Sequence, residues 1–400
     1  MSALESLITD LREVCTGLPD RRQGPGEKCV YSMADIGLSA FSVFFMGSPS
    51  FLAHQRGLAE GHGRSNCQTL FGMSAIPSDN YIRMMLDGAD PAAFDQTFYV
   101  ALATLREGGG LQPFQHLGGR LLVALDGSEH FASRKIHCAA CSTRRRSDGG
   151  TEYFHSFLGA SVVAPGHHQV LPLPPEFMVP QDGSEKQDCE RNAAKRWLAK
   201  HGPAMRPYRP IYLGDDLFAC QPIAAAIQAA GGNFILTCKP SSHPTITEYL
   251  AGVELGEHRL VVVQPGKRVT HTYRWLAAVP LRDTKDAITV NWFSLEIANA
   301  KGKRTYYNSF VTDLPVTVET VAELAACGRA RWKIENETFN VLNKRGSYCS
   351  SISTPYKSRL FWWRSRDDGH RDRLHSALSR TSWRSKSCNR IIHGAPLQSC

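Results

Sequence analysis

Two apolar runs constrain this chain more than any other feature. Leu121-Leu122-Val123-Ala124-Leu125 and Pro210-Ile211-Tyr212-Leu213-Gly214 carry no charge and do not alternate. A strand with one wet face alternates with period two, whereas a continuous run has to be covered on both faces. Each run therefore predicts a strand inside an α/β sheet, with helices above and below it. The first ends in Asp126-Gly127-Ser128 and the second in Asp215-Asp216. Active sites in such sheets gather at strand ends, where loops converge. An aspartate there is equally suited to capping a turn, so position alone leaves both readings open.

The flanking sequence supplies the rest of an α/β order. Further strands are expected at 153–163, 169–173 and 233–238. Helices are expected at 187–201, with Cys189, Ala193, Ala194, Trp197 and Leu198 inward, and at 221–230, which is Ala-rich. Residues 258–312 are strand-rich, in four runs: Arg259–Val263, Val269–Val279, Ile288–Ile297 and Tyr306–Val311. Residues 1–110 read differently, as mainly helical. Leu4, Leu7, Ile8 and Leu11 keep helical spacing, and Ile36 to Phe45 is a second apolar helix. Leu70, Phe71 and Met73 precede a turn at Ile76–Asn80 and a helix from Tyr81 to Leu86. A short helix, a turn and a second helix presenting Asn80, Tyr81 and Arg83 suit DNA reading. A plain helical bundle fits the same pattern.

Composition narrows the partners. A net charge of +9 and a pI of about 9.0 favour a polyanion. No apolar run reaches the ~20 residues that span a bilayer; the longest candidate, Ala34 to Met46, reads as a buried helix. Met1 to Thr9 carries Glu5 and lacks the basic start of a secretory leader, so a cytoplasmic location is expected. The twelve Cys are then expected as reduced thiols.

The most informative motif lies near the end of the α/β region. Residues 329–345 read Arg-Ala-Arg-Trp-Lys-Ile-Glu-Asn-Glu-Thr-Phe-Asn-Val-Leu-Asn-Lys-Arg. The pattern predicts an amphipathic helix beginning near Val318, with Trp332, Phe339 and Leu342 on an apolar side. Arg331 and Glu335, four apart, lie on one face, as in an ordinary salt bridge. Arg-Trp-Lys-Ile-Glu followed by Phe and Lys resembles the tyrosine–arginine–glutamate–lysine signature of DDE transposases of bacterial insertion sequences. The Leu-Gly-Asp-Asp-Leu-Phe segment around Asp215 is similar to that family's Asp-x-x-Phe pattern. The resemblance covers about 120–345.

The resemblance implies a ribonuclease-H-like fold: a mixed sheet with flanking helices and a β-rich insertion before the last catalytic helix. On that reading residues 1–110 are a helical, DNA-binding region and 120–239 the first part of the catalytic domain. Residues 240–312 are the insertion, 313–346 the helix that completes the core, and 347–400 an atypical tail. It further implies that Asp126, Asp215 and Glu335 are the catalytic carboxylates, with Asp216 and Glu337 as the alternatives. Glu335 and Glu337 would point about 200° apart on a helix, so only one can face the site. Arg331 and Lys344 are the implied phosphate contacts. The chain departs from the signature at two places: Gly328 stands where the tyrosine belongs, and Leu342 where the lysine belongs.

The chemistry explains an acidic set. Mg²⁺ (or Mn²⁺) is a hard ion that prefers oxygen ligands. Two such ions roughly 4 Å apart stabilise the attacking and leaving oxygens of a phosphoryl displacement. The implied activity is cleavage and strand transfer of double-stranded DNA at the ends of an insertion sequence. An endonuclease of this kind would act as a homodimer on DNA, near the nucleoid. A hydrolysis-only nuclease and an inactive DNA-binding relic are the alternatives.

Three further features are legible. Cys138 and Cys141 form a Cys-x-x-Cys pair, and with His137 they make a candidate zinc set, with His130 and His155 nearby. Arg144, Arg145 and Arg146 follow, as a loop suited to the DNA backbone. Residues 347–400 hold twelve Ser, eight Arg and three Trp with little apolar periodicity. They read either as a disordered basic tail or as the product of a displaced coding frame near Ser347.

Overall fold

The computed structural model describes residues 3–22, 29–48, 50–61, 69–73, 76–138, 140–179, 188–264 and 267–339. Lys344, Leu342 and the 347–400 tail lie outside the described residues.

The N-terminal part is helical, with α1 (Ala3–Thr16), α2 (Met33–Phe45), α3 (Phe51–Ala59), α4 (Asp79–Leu86) and α5 (Asp95–Glu107). Ser32 and Asp35 form a reciprocal capping box at the start of α2. Ser78 caps α4 by accepting from the Tyr81 N–H. Helix α2 is buried on nearly every side, Ile36 and Leu38 fully so. Of the short helix expected before the turn, Thr69 and Leu70 are helical, Phe71 and Met73 are buried in irregular backbone, and residues 62–68 and 74–75 lie outside the described residues. Arg83 turns back onto its own bundle, paired with Asp79 and placed over the Phe51 ring.

The remainder is mixed α/β. In chain order come β1 (Gln115–His116), β2 (Arg120–Ser133), β3 (Ser142–Arg145), β4 (Thr151–Val163), β5 (Leu171–Met178), α6 (Glu190–Met205), β6 (Ile211–Gly214), α7 (Gln221–Ala229), β7 (Asn233–Thr237) and α8 (Pro244–Ala251). Strands β8 (Gly256–Gln264), β9 (Lys267–Pro280), β10 (Thr289–Asn299) and β11 (Arg304–Thr312) follow, then α9 (Val321–Arg329). One sheet runs in the order β3-β4-β2-β6-β7-β11-β10-β9-β8, with β5 also on β4 and β1 on β2. Strands β2, β6 and β7 are parallel, and the other pairings are antiparallel. The β-rich segment extends this sheet, because β11 pairs with β7.

The two continuous runs are buried on both faces. Leu121 through Leu125 are at most 1% exposed. Leu121, Val123 and Leu125 pack on one side with Trp197, Leu198, Ile223 and Ile227 from α6 and α7. Leu122 and Ala124 pack on the other with Ile235, Phe310, Leu324 and Cys327 under α9. Burying one such aliphatic side chain contributes about 1.5–3 kcal/mol, so the five together anchor the centre of the sheet.

Two expectations need correction. Asp126 does not end its strand: β2 continues to Ser133, paired throughout with β4. What stops is the parallel neighbour, since β6 pairs with β2 only over Leu122–Ala124. Asp126 therefore still stands at an open edge of the sheet. The motif helix is also not one regular α-helix. Helix α9 starts at Val321, after a turn in which the Thr317 N–H donates to Thr320 Oγ1. It ends at Arg329, tightens to a 3₁₀ turn over Ala330–Trp332 and widens to a π segment over Ile334–Phe339. Local π geometry recurs at functional sites. Trp332 is 52% exposed, whereas Ile334 and Phe339 are buried, so Trp332 and Phe339 do not share the predicted apolar side.

Candidate active site

Asp126, Asp215 and Glu335 are brought towards one site from β2, the end of β6 and the π segment. Arg331 ties two of them together. Its Nη1 donates to Asp126 Oδ2 at 3.1 Å and its Nη2 to Glu335 Oε1 at 2.8 Å. The Arg331 and Asp126 side chains are largely buried, while Glu335 is half exposed. The sequence-level salt bridge is thus one arm of a three-residue bridge that reaches across to the sheet.

Close packing at glycines makes the approach feasible. Gly159 lies directly across from Asp126 on β4. A Cβ there would meet Phe339 Cε1 at 2.6 Å, so the glycine admits the ring that seats the π segment. Gly328 plays the same part in α9, where a Cβ would lie 2.8 Å from Phe310 Cε1 and 3.1 Å from Ile235 Cγ2. Position 328 thus faces the core, and the close packing leaves no room for a side chain.

The second aspartate is positioned by a tight turn. Leu217 N–H donates to Asp215 Oδ1 at 2.9 Å, and Phe218 N–H donates to the Asp215 carbonyl at 3.1 Å. Phe218 is fully buried and anchors this turn in the core. Asp216 is turned to a different task. Its Oδ1 accepts from the Lys239 N–H at 2.6 Å and lies 3.2 Å from His243 Nε2. It joins the β6 and β7 loops. Glu337 also points elsewhere, with Oε1 3.7 Å from His168 Nδ1. Lys333 is buried and donates to the His167 carbonyl.

A fourth carboxylate was not foreseen. Glu190, the first residue of α6, packs its carboxyl over Gly127, where any Cβ would collide with it. Burial, then the charge of Asp215, raises its pKa. Nothing in the sequence marked it, since a glutamate in a first helical turn is ordinary dipole chemistry. Asp126 is pushed up to about 7, chiefly by burial. The Arg331 charge opposes that rise, while Glu335, Asp215 and Glu190 add to it. One guanidinium thus bridges two carboxylates, and the charges of Glu335, Asp215 and Glu190 all act on Asp126.

The donor set fits hard divalent cations: the donors are all oxygen, partly desolvated and in excess of local positive charge. The carboxylates are spread more widely than the shell of a single ion. Among the described residues, three donor side chains come within 4.8 Å of one another only at Cys138, Cys141 and His155. The guanidinium lies between Asp126 and Glu335 and bonds to both.

The basic loop is largely self-satisfied. Arg144 pairs with Glu129 at 2.7 Å and with Glu152, and it lies over Phe154. Arg146 pairs with Glu152 at 2.6 Å and Arg134 with Asp148 at 3.1 Å. No ion pair involves Arg145 among the described residues, and it is exposed on β3. The thiol pair meets His155, not His137. The His137 ring stacks on Tyr153 at 4.3 Å, outside the cluster.

No protein-family model matches the chain, and no curated protein sequence matches it.

Proposed function

We propose that the protein is a DDE transposase, which cleaves double-stranded DNA at element ends and joins the freed end to a target. The observation that carries this reading is the bridge that Arg331 makes between Asp126 and Glu335, with Asp215 near enough for its charge to act on Asp126. Two of these carboxylates come from strands at the centre of one sheet, and the third from a segment more than a hundred residues later. The strand order supports the same reading. Three antiparallel strands (β5, β4, β2), then β6 and β7 parallel to β2 and joined through helices, match a ribonuclease-H-like core.

In this proposal Asp126, Asp215 and Glu335 hold Mg²⁺ or Mn²⁺, which supplies Lewis-acid charge at the scissile phosphate. Glu190 adds negative charge beside Asp215 and Gly127. Arg331 presents a planar fork that suits phosphate oxygens as well as carboxylates. When DNA enters, the fork exchanges a carboxylate for a phosphate and stays in place as a clamp. In nicking, water attacks phosphorus and the bond to the 3′ oxygen breaks, leaving a 3′-hydroxyl. In joining, that hydroxyl attacks a target phosphodiester and a target oxygen leaves. The excess of basic over acidic residues favours the DNA partner. No helix among the described residues is long and apolar enough to cross a membrane.

The test uses the full-length protein, an end-labelled duplex containing the DNA that flanks its coding sequence, and MgCl₂. Metal-dependent nicking followed by joined product, both lost in Asp126→Asn, is the expected result. Nicking with no joined product would indicate a hydrolytic nuclease. Binding with no cleavage under any divalent ion would overturn the enzymatic reading.

A further inference from the structure

We propose that Cys138, Cys141 and His155 bind a zinc ion that fastens the basic hairpin to the long β2–β4 ribbon. Beyond Asp126 the sheet narrows. β2 and β4 continue together to Ser133 and Tyr153, with only the four-residue β3 alongside that end. Such a ribbon has little core of its own and needs a staple to hold its end.

The geometry points to a metal staple. Cys138 Sγ and Cys141 Sγ are 3.8 Å apart, and His155 Nε2 lies 3.4 Å and 3.3 Å from them. A tetrahedral zinc with Zn–S near 2.3 Å and Zn–N near 2.0 Å requires S···S of about 3.8 Å and S···N of about 3.5 Å. The three donors already stand at the corners of that tetrahedron. A disulfide would need the sulfurs at about 2.05 Å. The turn is shaped for thiolates as well. Cys141 N–H donates to the Cys138 carbonyl at 3.1 Å, and Cys138 N–H donates to Cys141 Sγ at 3.3 Å. The third donor arrives through register. Ser142 pairs with Phe154 across β3 and β4, which sets Cys141 beside His155. Two thiolates and an imidazole are the soft-to-borderline set that selects zinc.

This site is separate from the carboxylates. His155 pairs with Phe131, five residues along β2 from Asp126, which is roughly 17 Å at 3.4 Å per residue. Zinc there would fix where β3 begins, and so where Arg145 and its paired neighbours Arg144 and Arg146 face DNA.

The experiment measures zinc in the full-length protein purified without chelator. About one equivalent per chain is expected. Cys138→Ser, Cys141→Ser and His155→Phe should each lose it, whereas His155→Cys, His137→Gln and Cys189→Ser should keep it. Folding of each variant is checked by circular dichroism. Should the loss variants fail to fold, the cobalt-loaded wild type still decides: a thiolate-to-cobalt charge-transfer band that added zinc abolishes is expected. Wild-type protein without zinc and without that band after zinc or cobalt loading would overturn the site. So would zinc that survives in all three loss variants, or an intact mass showing Cys138 and Cys141 joined as a disulfide.

Discussion

Replacing Gly328 with alanine tests whether the packing of α9 sets the distance between Arg331 and Asp126. The new Cβ would lie 2.8 Å and 2.9 Å from two Phe310 ring carbons and 3.1 Å from Ile235 Cγ2. Ordinary carbon contacts lie at about 3.5–4.0 Å, so relief needs a movement of roughly 0.8 Å. Phe310 cannot recede, because it is fully buried and stacked on Phe293 at 5.1 Å. The helix must therefore lift from the sheet and take Arg331 with it. The 3.1 Å contact to Asp126 would open to nearly 4 Å, beyond hydrogen-bond range. Overpacking costs about 1–3 kcal/mol, offset by about 1 kcal/mol of helix propensity, for a net loss of up to about 2 kcal/mol. A misplacement of this size costs on the order of 10²-fold in rate. Thermal melting and the DNA cleavage assay read both effects, with Gly57→Ala as control, since a Cβ at Gly57 in α3 meets nothing within 4 Å. A Gly328→Ala protein with wild-type melting and wild-type cleavage would refute the reasoning.

The paired carboxylates give sharper contrasts. Glu335→Gln should abolish Mg²⁺-dependent cleavage while Glu337→Gln leaves it within a few-fold, and Asp215→Asn should abolish it likewise. Asp216→Ala should instead cost about 0.5–1.5 kcal/mol in urea unfolding, because the Lys239 N–H exchanges its carboxylate acceptor for water, with cleavage retained by the folded protein. Stability should also fall in mild acid. Burial depresses His54 and His201 from 6.5 to about 4. A lowered imidazole pKa means that the unfolded chain takes up protons first. The stabilisation is therefore complete above pH 6.5 and lost as the pH falls towards 4, by up to about 3 kcal/mol for each histidine. Urea midpoints at pH 7.5 and 5 measure it, and a His201→Gln protein with an unchanged slope between them would count against the assignment.

Much of the architecture was legible because it rests on short-range pattern. Continuous runs gave the central strands, and the four β-rich runs fall within β8 to β11 with ends displaced by a few residues. The order of strands and helices followed. What escaped was whatever depends on a neighbour far along the chain. Asp126 read as a strand end because its own sequence turns polar there, yet β4 supplies partners as far as Ser133. The π segment escaped because Ile334 and Phe339 are five apart and both buried, a spacing that a regular helix does not keep on one face. His137 looked closer to the thiols than His155, being adjacent in sequence to Cys138. In an antiparallel pair, however, proximity is decided by register and not by sequence distance.

Glu190 and the glycines show the same limit at the site itself. Gly127, Gly159 and Gly328 lie in strands or a helix and have no positive φ, so none is required by backbone conformation. Each is required by what presses against it: Glu190 on Gly127, Phe339 on Gly159, and Phe310 with Ile235 on Gly328. Read singly, a glycine inside a strand or helix is a weakening of about 1 kcal/mol. Read together, two of them omit side chains beside Asp126, admitting a fourth carboxylate and an aromatic ring, and the third lets α9 close on β7 and β11. The cost in local stability is the same at each position, and what it secures is common to all three: the distance at which Arg331 spans Asp126 and Glu335. The glycine at 328 then has a structural cause. In this chain the arginine is held at the right height by a close helix–sheet contact, and a tyrosine at that position would break the contact.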